Sequence, residues 1–326
     1  MELLKKLVST IAPSGHENYI HNIISDEIRS YVDEITTDAL GNLIAHKKGN
    51  GKRIMLAAHA DEIGIIVTYI EENGILRFQN IGGVRPLYAL ASCVRFTNGV
   101  HGVVFYDMKK DIEKLTFDDM YIDIGAKNKK EAEELVSIGS VAGFVGDFFE
   151  QGEIVVSKSL DNRSGCYVLI EALKRAKESE NDIYAVFTSQ EELGVRGATS
   201  SAYSANPDIA LAIDVTHTGD MIGAVPMEVV LGGGAALKIK DNRSISSPFV
   251  VDILKELATE NAIPYQLEVL TRGGTDAGAI HMTRGGVKTA TLSIPTRFMH
   301  SPCEMINKND LDACIRLLTK FIEKNM

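Results

Sequence analysis

Short, uninterrupted apolar runs recur along this chain, and several of them lead directly into a histidine or a carboxylate. Arg53–Leu56 leads into Ala57-Ala58-His59-Ala60-Asp61, and Tyr184–Phe187 (YAVF) into Ser189-Gln190-Glu191-Glu192. Ala210–Ile213 (ALAI) is closed by Asp214, and Thr289–Ile294 precedes His300. Runs of this length without polar alternation are consistent with buried strands. Between them lie segments of helical period. Gly165, Val168, Leu169, Ala172, Leu173 and Ala176 keep that spacing, and Phe249, Val250, Ile253, Leu254, Leu257 and Ala258 follow the entry signal Ser247-Pro248. Leu311, Cys314, Ile315, Leu318, Phe321 and Ile322 mark an amphipathic closing helix. The alternation predicts an α/β fold, a three-layer sandwich with a mainly parallel central sheet.

One block breaks the pattern. From about Gly64 to Glu153 the strand-like pieces Ile65–Ile70, Leu76–Gln79, Val94–Phe96 and Gly102–Tyr106 are separated by Gly, Asn and Pro turns, with Lys129–Val136 as the one clear helix. We therefore expect a discontinuous α/β domain, residues 1–64 and 156–326, interrupted by a small β-rich domain at 65–155.

Composition narrows the function classes. A net charge of −10 argues against nucleic-acid binding, which needs a basic face to displace phosphate counterions. The longest aliphatic stretch, Ile63–Val67, is too short to cross a bilayer, and no apolar run suited to a secretory signal follows Lys5 and Lys6. Cys93, Cys166, Cys303 and Cys314 have neither CxxC nor disulfide-framework spacing, so reduced thiols and a cytoplasmic setting are expected. Cys303 is expected to be packed.

Each polar signal has a bland reading beside the chemical one. His59 and Asp61, two apart at a strand end, face the same side, and a ligating histidine commonly donates its second N–H to a carboxylate; an exposed polar strand end is the alternative. Asp161, before the Gly165–Ala176 helix, reads on its own as a helix cap. Glu191 and Glu192 would repel each other if buried without a cation. With a metal present one could ligate while its neighbour carries protons; a solvated acidic loop is the alternative. His217, three residues after Asp214, is a rival imidazole placed near the metals or facing substrate. Thr275 and Asp276 in Gly273-Gly274-Thr275-Asp276 could line a pocket or cap a helix.

Their joint placement says more than any one of them. Two imidazoles and three carboxylates at strand ends suit a divalent ion such as zinc or cobalt better than calcium or magnesium. An odd carboxylate left to bridge is the arrangement of two-metal hydrolases, whose ions lie roughly 3.5–4 Å apart.

AHADEIG, SLDNRSG, SQEELGVRG, AIDVT, GGTDAGAI and PTRFMHSPCE stand here in one order. In that order they closely resemble the blocks of the M42 family of metallo-aminopeptidases, which includes glutamyl, deblocking and tetrahedral aminopeptidases. The resemblance spans almost the whole chain. It implies two divalent ions per subunit, zinc or cobalt, with Asp161 bridging, His59 and Asp214 completing one site, and Glu192 and His300 the other. It further implies Glu191 as general base, Asp61 orienting His59, short peptides as substrates, and a β-rich insert serving dimerisation of a homo-oligomer that extends in some members to a dodecamer. Ala60 and Asn162 stand where many relatives have Met and Asp, and neither change removes a ligand.

Two rival readings remain open at this point. A glycoside hydrolase needs two carboxylates flanking a sugar bond, but it leaves His59 and His300 without a role, and the chain has no Trp to stack on sugars. A non-catalytic peptide-binding assembly leaves the full ligand set and its base unexplained.

Overall fold

The computed structural model describes residues 1–177 and 179–326. Its parallel centre consists of four strands, in spatial order Asp182–Thr188, Arg53–His59, Ile209–Thr216 and Lys288–Arg297. Their side chains alternate between two apolar clusters. Ile54, Leu56 and Ala58 join Phe187, Leu211 and Ile213 on one face, whereas Met55 and Ala57 meet Val186, Ala198 and Ala210 on the other. Burial on both faces is why these strands lack polar alternation. Helices Leu160–Arg175, Pro248–Glu260 and Lys308–Glu323 cover the first face, and Arg196–Ala205 with the single turn Ala277–Ile280 covers the second.

Around this centre the sheet is mixed, which corrects the mainly parallel expectation. Glu34–Thr37 pairs antiparallel with Leu43–Lys47, which runs antiparallel to Asp182–Thr188. On the other side Lys288–Arg297 pairs antiparallel with Ala235–Lys240 and with Glu304–Asn307, and Ile154–Ser157 and Phe149–Gln151 continue antiparallel from there. Connection length explains part of this. Glu34–Thr37 with Leu43–Lys47, Phe149–Gln151 with Ile154–Ser157, and Lys288–Arg297 with Glu304–Asn307 are joined by a few residues and fold back on each other, whereas parallel strands need long crossovers such as those carrying Leu160–Arg175 and Arg196–Ala205. The other antiparallel pairs join strands distant in sequence.

Gly64 opens a closed six-stranded barrel made of Gly64–Ile70, Leu76–Ile81, Cys93–Phe96, His101–Tyr106, Met120–Asp123 and Val141–Phe144. It has its own core around Ile65, Phe78, Phe96, Val104 and Ile122. Phe149–Gln151, inside the expected 65–155 insert, and Ile154–Ser157, which straddles its end, lie in the large sheet because Ile154–Ser157 finds its partner in Glu304–Asn307. Among the described residues no helix is long and apolar enough to cross a membrane. All four cysteines are free thiols, and Cys303 is exposed rather than packed, because it sits in the turn before Glu304–Asn307.

Where the barrel leaves the sheet, buried polar groups join three segments. Glu62 accepts from Lys158 Nζ and Ser159 Oγ, and its other oxygen accepts the Ala12 N–H at 2.7 Å. Arg163, fully buried, donates to the carbonyls of Leu7 at 2.8 Å and Thr10 at 3.3 Å. These bonds fasten the amino-terminal helix to the buried helix behind the sheet. Arg163 also lies 3.9 Å from Glu62 Oε1, so removing the guanidinium leaves those carbonyls and Glu62 short of a partner. Arg163→Ala should therefore lose about 3 kcal/mol or more of stability. An unchanged denaturant midpoint would show that the tether contributes nothing.

Candidate metal centre

The site forms at the carboxyl ends of the parallel strands, where open α/β sheets bind their ligands. His59 is the last residue of its strand, directly opposite Thr188. Asp214 is inside the strand Ile209–Thr216 rather than closing it, since the apolar run resumes with Val215. Asp161 has non-helical angles, φ −77° and ψ 105°, within the first turn of Leu160–Arg175. Its neighbour Asn162 supplies the cap, accepting the Gly165 N–H at 3.1 Å and donating to the Ile213 carbonyl at 2.8 Å. The cap reading thus belongs to Asn162, and the Asp161 carboxylate is left facing the cavity.

Its two oxygens face two different imidazoles. Oδ1 is 3.1 Å from His59 Nε2, and Oδ2 is 3.2 Å from His300 Nε2. Asp214 Oδ1 lies 3.7 Å from His59 Nε2, and Glu192 Oε1 lies 3.3 Å from His300 Nε2. The donor atoms form two groups, His59 with Asp161 and Asp214, and Asp161 with Glu192 and His300, each within 4.8 Å. Donors bound to zinc at about 2.0–2.1 Å in a tetrahedron stand about 3.3 Å apart. This spacing fits a metal.

The electrostatics point the same way. Burial, with Asp161 nearby, pushes the Asp214 carboxyl up to about 8 despite the opposing pull of His59. Burial likewise holds Glu191 well above the usual carboxylate range, with Asp214, Asp276 and Glu192 adding to it. Burial would lower His300, but Glu192 and Asp161 outweigh it and push it up to about 12. Protons here balance a surplus of buried negative charge, which is the work a divalent ion does when it binds.

Asp61 organises the surroundings. Its Oδ1 is 3.4 Å from His59 Nδ1, and the same carboxylate accepts the N–H groups of Glu191 at 3.0 Å and Glu192 at 3.2 Å and the Ser14 hydroxyl at 2.6 Å. Strand periodicity does not place it there, because the strand ends at His59 and Asp61 lies beyond it. Glu191 Oε2 stands 3.9 Å from His59 Nε2. His217 and Thr275 line the cavity of about 520 Å3 that also takes in His59, Asp161, Glu192, Asp214 and His300. Thr275 also accepts the Ala277 N–H at 3.3 Å, so pocket lining and capping coexist in one residue. Asp276 lies behind the cavity wall, buried and accepting from Thr188 Oγ1 at 2.6 Å.

Three contributors escape sequence reasoning. Glu304 is buried and accepts the N–H groups of both Asp161 and His300 at 2.8 Å, tying a ligand of each group to one carboxylate. Gly83, in the turn after the second barrel strand, has its carbonyl 3.1 Å from His300 Nδ1, and a Cβ there would fall 2.4 Å from that nitrogen. Glu17 accepts the N–H groups of Gly15 at 2.8 Å and Gln190 at 3.0 Å. Their sequence signals are slight: an acid four residues past His300, a Gly-Gly pair, and the carboxylate of the opening SGHE.

A family model described as M42 glutamyl aminopeptidase matches residues 41–317. A relative in Acetivibrio thermocellus that carries an aminopeptidase name is 51% identical over 322 residues, covering 98% of each chain. The lysyl aminopeptidase of Pyrococcus furiosus is 35% identical over 99% of this chain and 96% of its own. Among solved structures, the Pyrococcus horikoshii TET1 peptidase, described as assembling into a tetrahedron or a large octahedral shell, superposes with a TM-score of 0.90. It is 34% identical and covers 99% of both chains.

Glu17 gives this site's neighbourhood a pH signature. Burial, with the charge of Asp61, raises its carboxyl to about 7 from 4.5. Between those values the folded chain keeps a proton that the unfolded chain releases, so this group's contribution falls as pH rises and levels off above about 7. The span is on the order of 3 kcal/mol. Glu17→Gln keeps the acceptor and should flatten that part of the stability–pH curve in denaturation experiments. A curve that still falls equally would rule Glu17 out as its source.

Proposed function

The chain belongs to the M42 glutamyl aminopeptidase family, and on that premise we propose that it removes the amino-terminal residue of short peptides at a centre of two divalent ions. His59 and Asp214 would hold one ion, Glu192 and His300 the other, with Asp161 between them. The observation that carries this is the pair of distances from one carboxylate to two imidazoles, 3.1 and 3.2 Å. A donor set of nitrogen and oxygen suits zinc or cobalt. When bound, the ions supply an activated water and a polarised scissile carbonyl.

The chain's own groups do the rest. Asp61 at Nδ1 orients His59 so that Nε2 faces the cavity, and the Gly83 carbonyl does the same for His300. Glu191 accepts the attacking water's proton at its carboxylate and returns it to the leaving amine. Its buried position beside Asp214 and Asp276 raises its proton affinity, as a base that must later act as an acid requires. Glu304 and Asn162 keep Asp161 and His300 from relaxing toward each other or toward the helix.

The six-stranded barrel, by the same membership, serves dimerisation, and dimers would build a larger closed assembly of the kind described for the TET1 peptidase. A cytoplasmic setting agrees with four free thiols. The glycosidase reading still gives the two imidazoles nothing to do and is not favoured.

Metal analysis should find two ions per chain after reconstitution, and Asp161→Ala should lose both. Glu191→Gln should retain both ions yet lose about 10²- to 10⁴-fold in kcat. A fully active Gln variant would remove Glu191 from the role of base.

A further inference from the structure

The two imidazoles of the metal centre are held in unequal ways. His59 ends a sheet strand, its side chain is 2% exposed, and the Asp61 carboxylate lies 3.4 Å from Nδ1. His300 lies beyond Lys288–Arg297 at φ 61°, and its side chain is 31% exposed. Its Nδ1 faces a backbone carbonyl, that of Gly83, at 3.1 Å. A ligating histidine owes its ring orientation, and part of its hold on the ion, to the group at its other nitrogen.

That carbonyl comes from the barrel. Gly82 and Gly83 form the turn after Leu76–Ile81, and the barrel fixes the turn from both sides. Ile81 pairs with Gly64, Val84 is buried in the barrel core, and Asn80 Nδ2 donates to the Gly82 carbonyl at 2.7 Å. The turn meets the second ligand of the same group as well. A Cβ on Gly82 would fall 3.0 Å from Glu192 Cβ and 3.1 Å from its Oε2. One on Gly83 would fall 2.4 Å from His300 Nδ1. Among the described residues no hydrogen bond or ion pair from the barrel reaches the side chain of His59 or Asp214.

We infer that the barrel controls the ion held by Glu192 and His300 and leaves the ion held by His59 and Asp214 to the sheet. Gly82 and Gly83 are positioning residues, since they act through two ligands and not on the ion itself. The inference rests on the two-ion reading of the site. Gly83 is a clean probe, because its φ lies outside the left-handed region and alanine is free to adopt its backbone. The three atoms nearest to the added methyl all belong to the His300 ring, which has to swing away.

Calorimetric titration of the metal-free full chain with zinc, and bound metal counted by mass spectrometry after dialysis, read each ion without turnover. Wild-type chain should take up two ions. Gly83→Ala should bind one with unchanged affinity and the other about 10- to 100-fold more weakly, the usual cost of disturbing a group behind a ligand. The ion it keeps reports that the variant is folded. Gly82→Ala should weaken the same ion. Its own strain at φ 74° is matched by Gly125→Ala, at φ 79° in the barrel with open space around the Cβ, which should keep both ions. Adding His59→Ala to Gly83→Ala should remove the remaining ion, whereas adding His300→Ala should leave it in place. Wild-type affinity for both ions in the two turn variants, both ions weakened together, or an equal loss in Gly125→Ala overturns the inference and leaves the two-ion site standing. A wild-type chain that takes up fewer than two ions overturns that reading, and the inference falls with it.

Discussion

One buried carboxylate shared by two imidazoles organises this molecule. Asp161 belongs to neither histidine's segment, since His59 ends an early strand and His300 lies beyond the last parallel one. Holding a charged group between them in a dry cavity is costly unless its surroundings are fixed. The chain meets that demand from several directions. Asn162 takes over the helix cap, Glu304 grips the backbone at Asp161 and at His300, and Asp61 ties the His59 strand end to the Glu191–Glu192 loop. Sheet order follows the same demand, bringing strands distant in sequence side by side so that their ends converge.

Much of this was visible in the residues alone. Apolar runs buried on both faces announced the parallel centre, and polar residues just past them announced the site. What misled was local pattern used beyond its reach. Alternation along a strand cannot place Asp61, because the strand stops two residues earlier. An apolar run cannot reveal that Ile209–Thr216 continues through Asp214, since a carboxylate inside a strand looks like its end. Short connections made some of the antiparallel pairs, but the others join strands distant in sequence, which no local pattern reveals. Glu304 and Glu17 accept backbone N–H groups and Gly83 offers its own carbonyl, and backbone contacts leave no mark on residue type.

The division of labour between the two bodies is uneven. The barrel has its own apolar core and a closed sheet with no free edge, so it can satisfy its own hydrogen bonds. Yet its roots are polar and shared. Glu62, just before its first strand, is buried against Lys158 and Ser159, three and two residues before Asp161. The segment that launches the barrel and the segment that carries Asp161 are thus held by the same buried charges.

Gly83 gives that coupling a further meaning. The turn leaving the second barrel strand presents a carbonyl to His300, with no space for a side chain. An insert is usually the most replaceable part of a fold, free to drift, lengthen or be exchanged. Here its outer surface keeps that freedom while this one turn does not. A chimaera that swapped the barrel at its obvious boundaries would have to supply this turn again or leave His300 Nδ1 without its carbonyl. The turn at residues 82–83 therefore belongs to the sheet's cavity as much as to the insert that carries it.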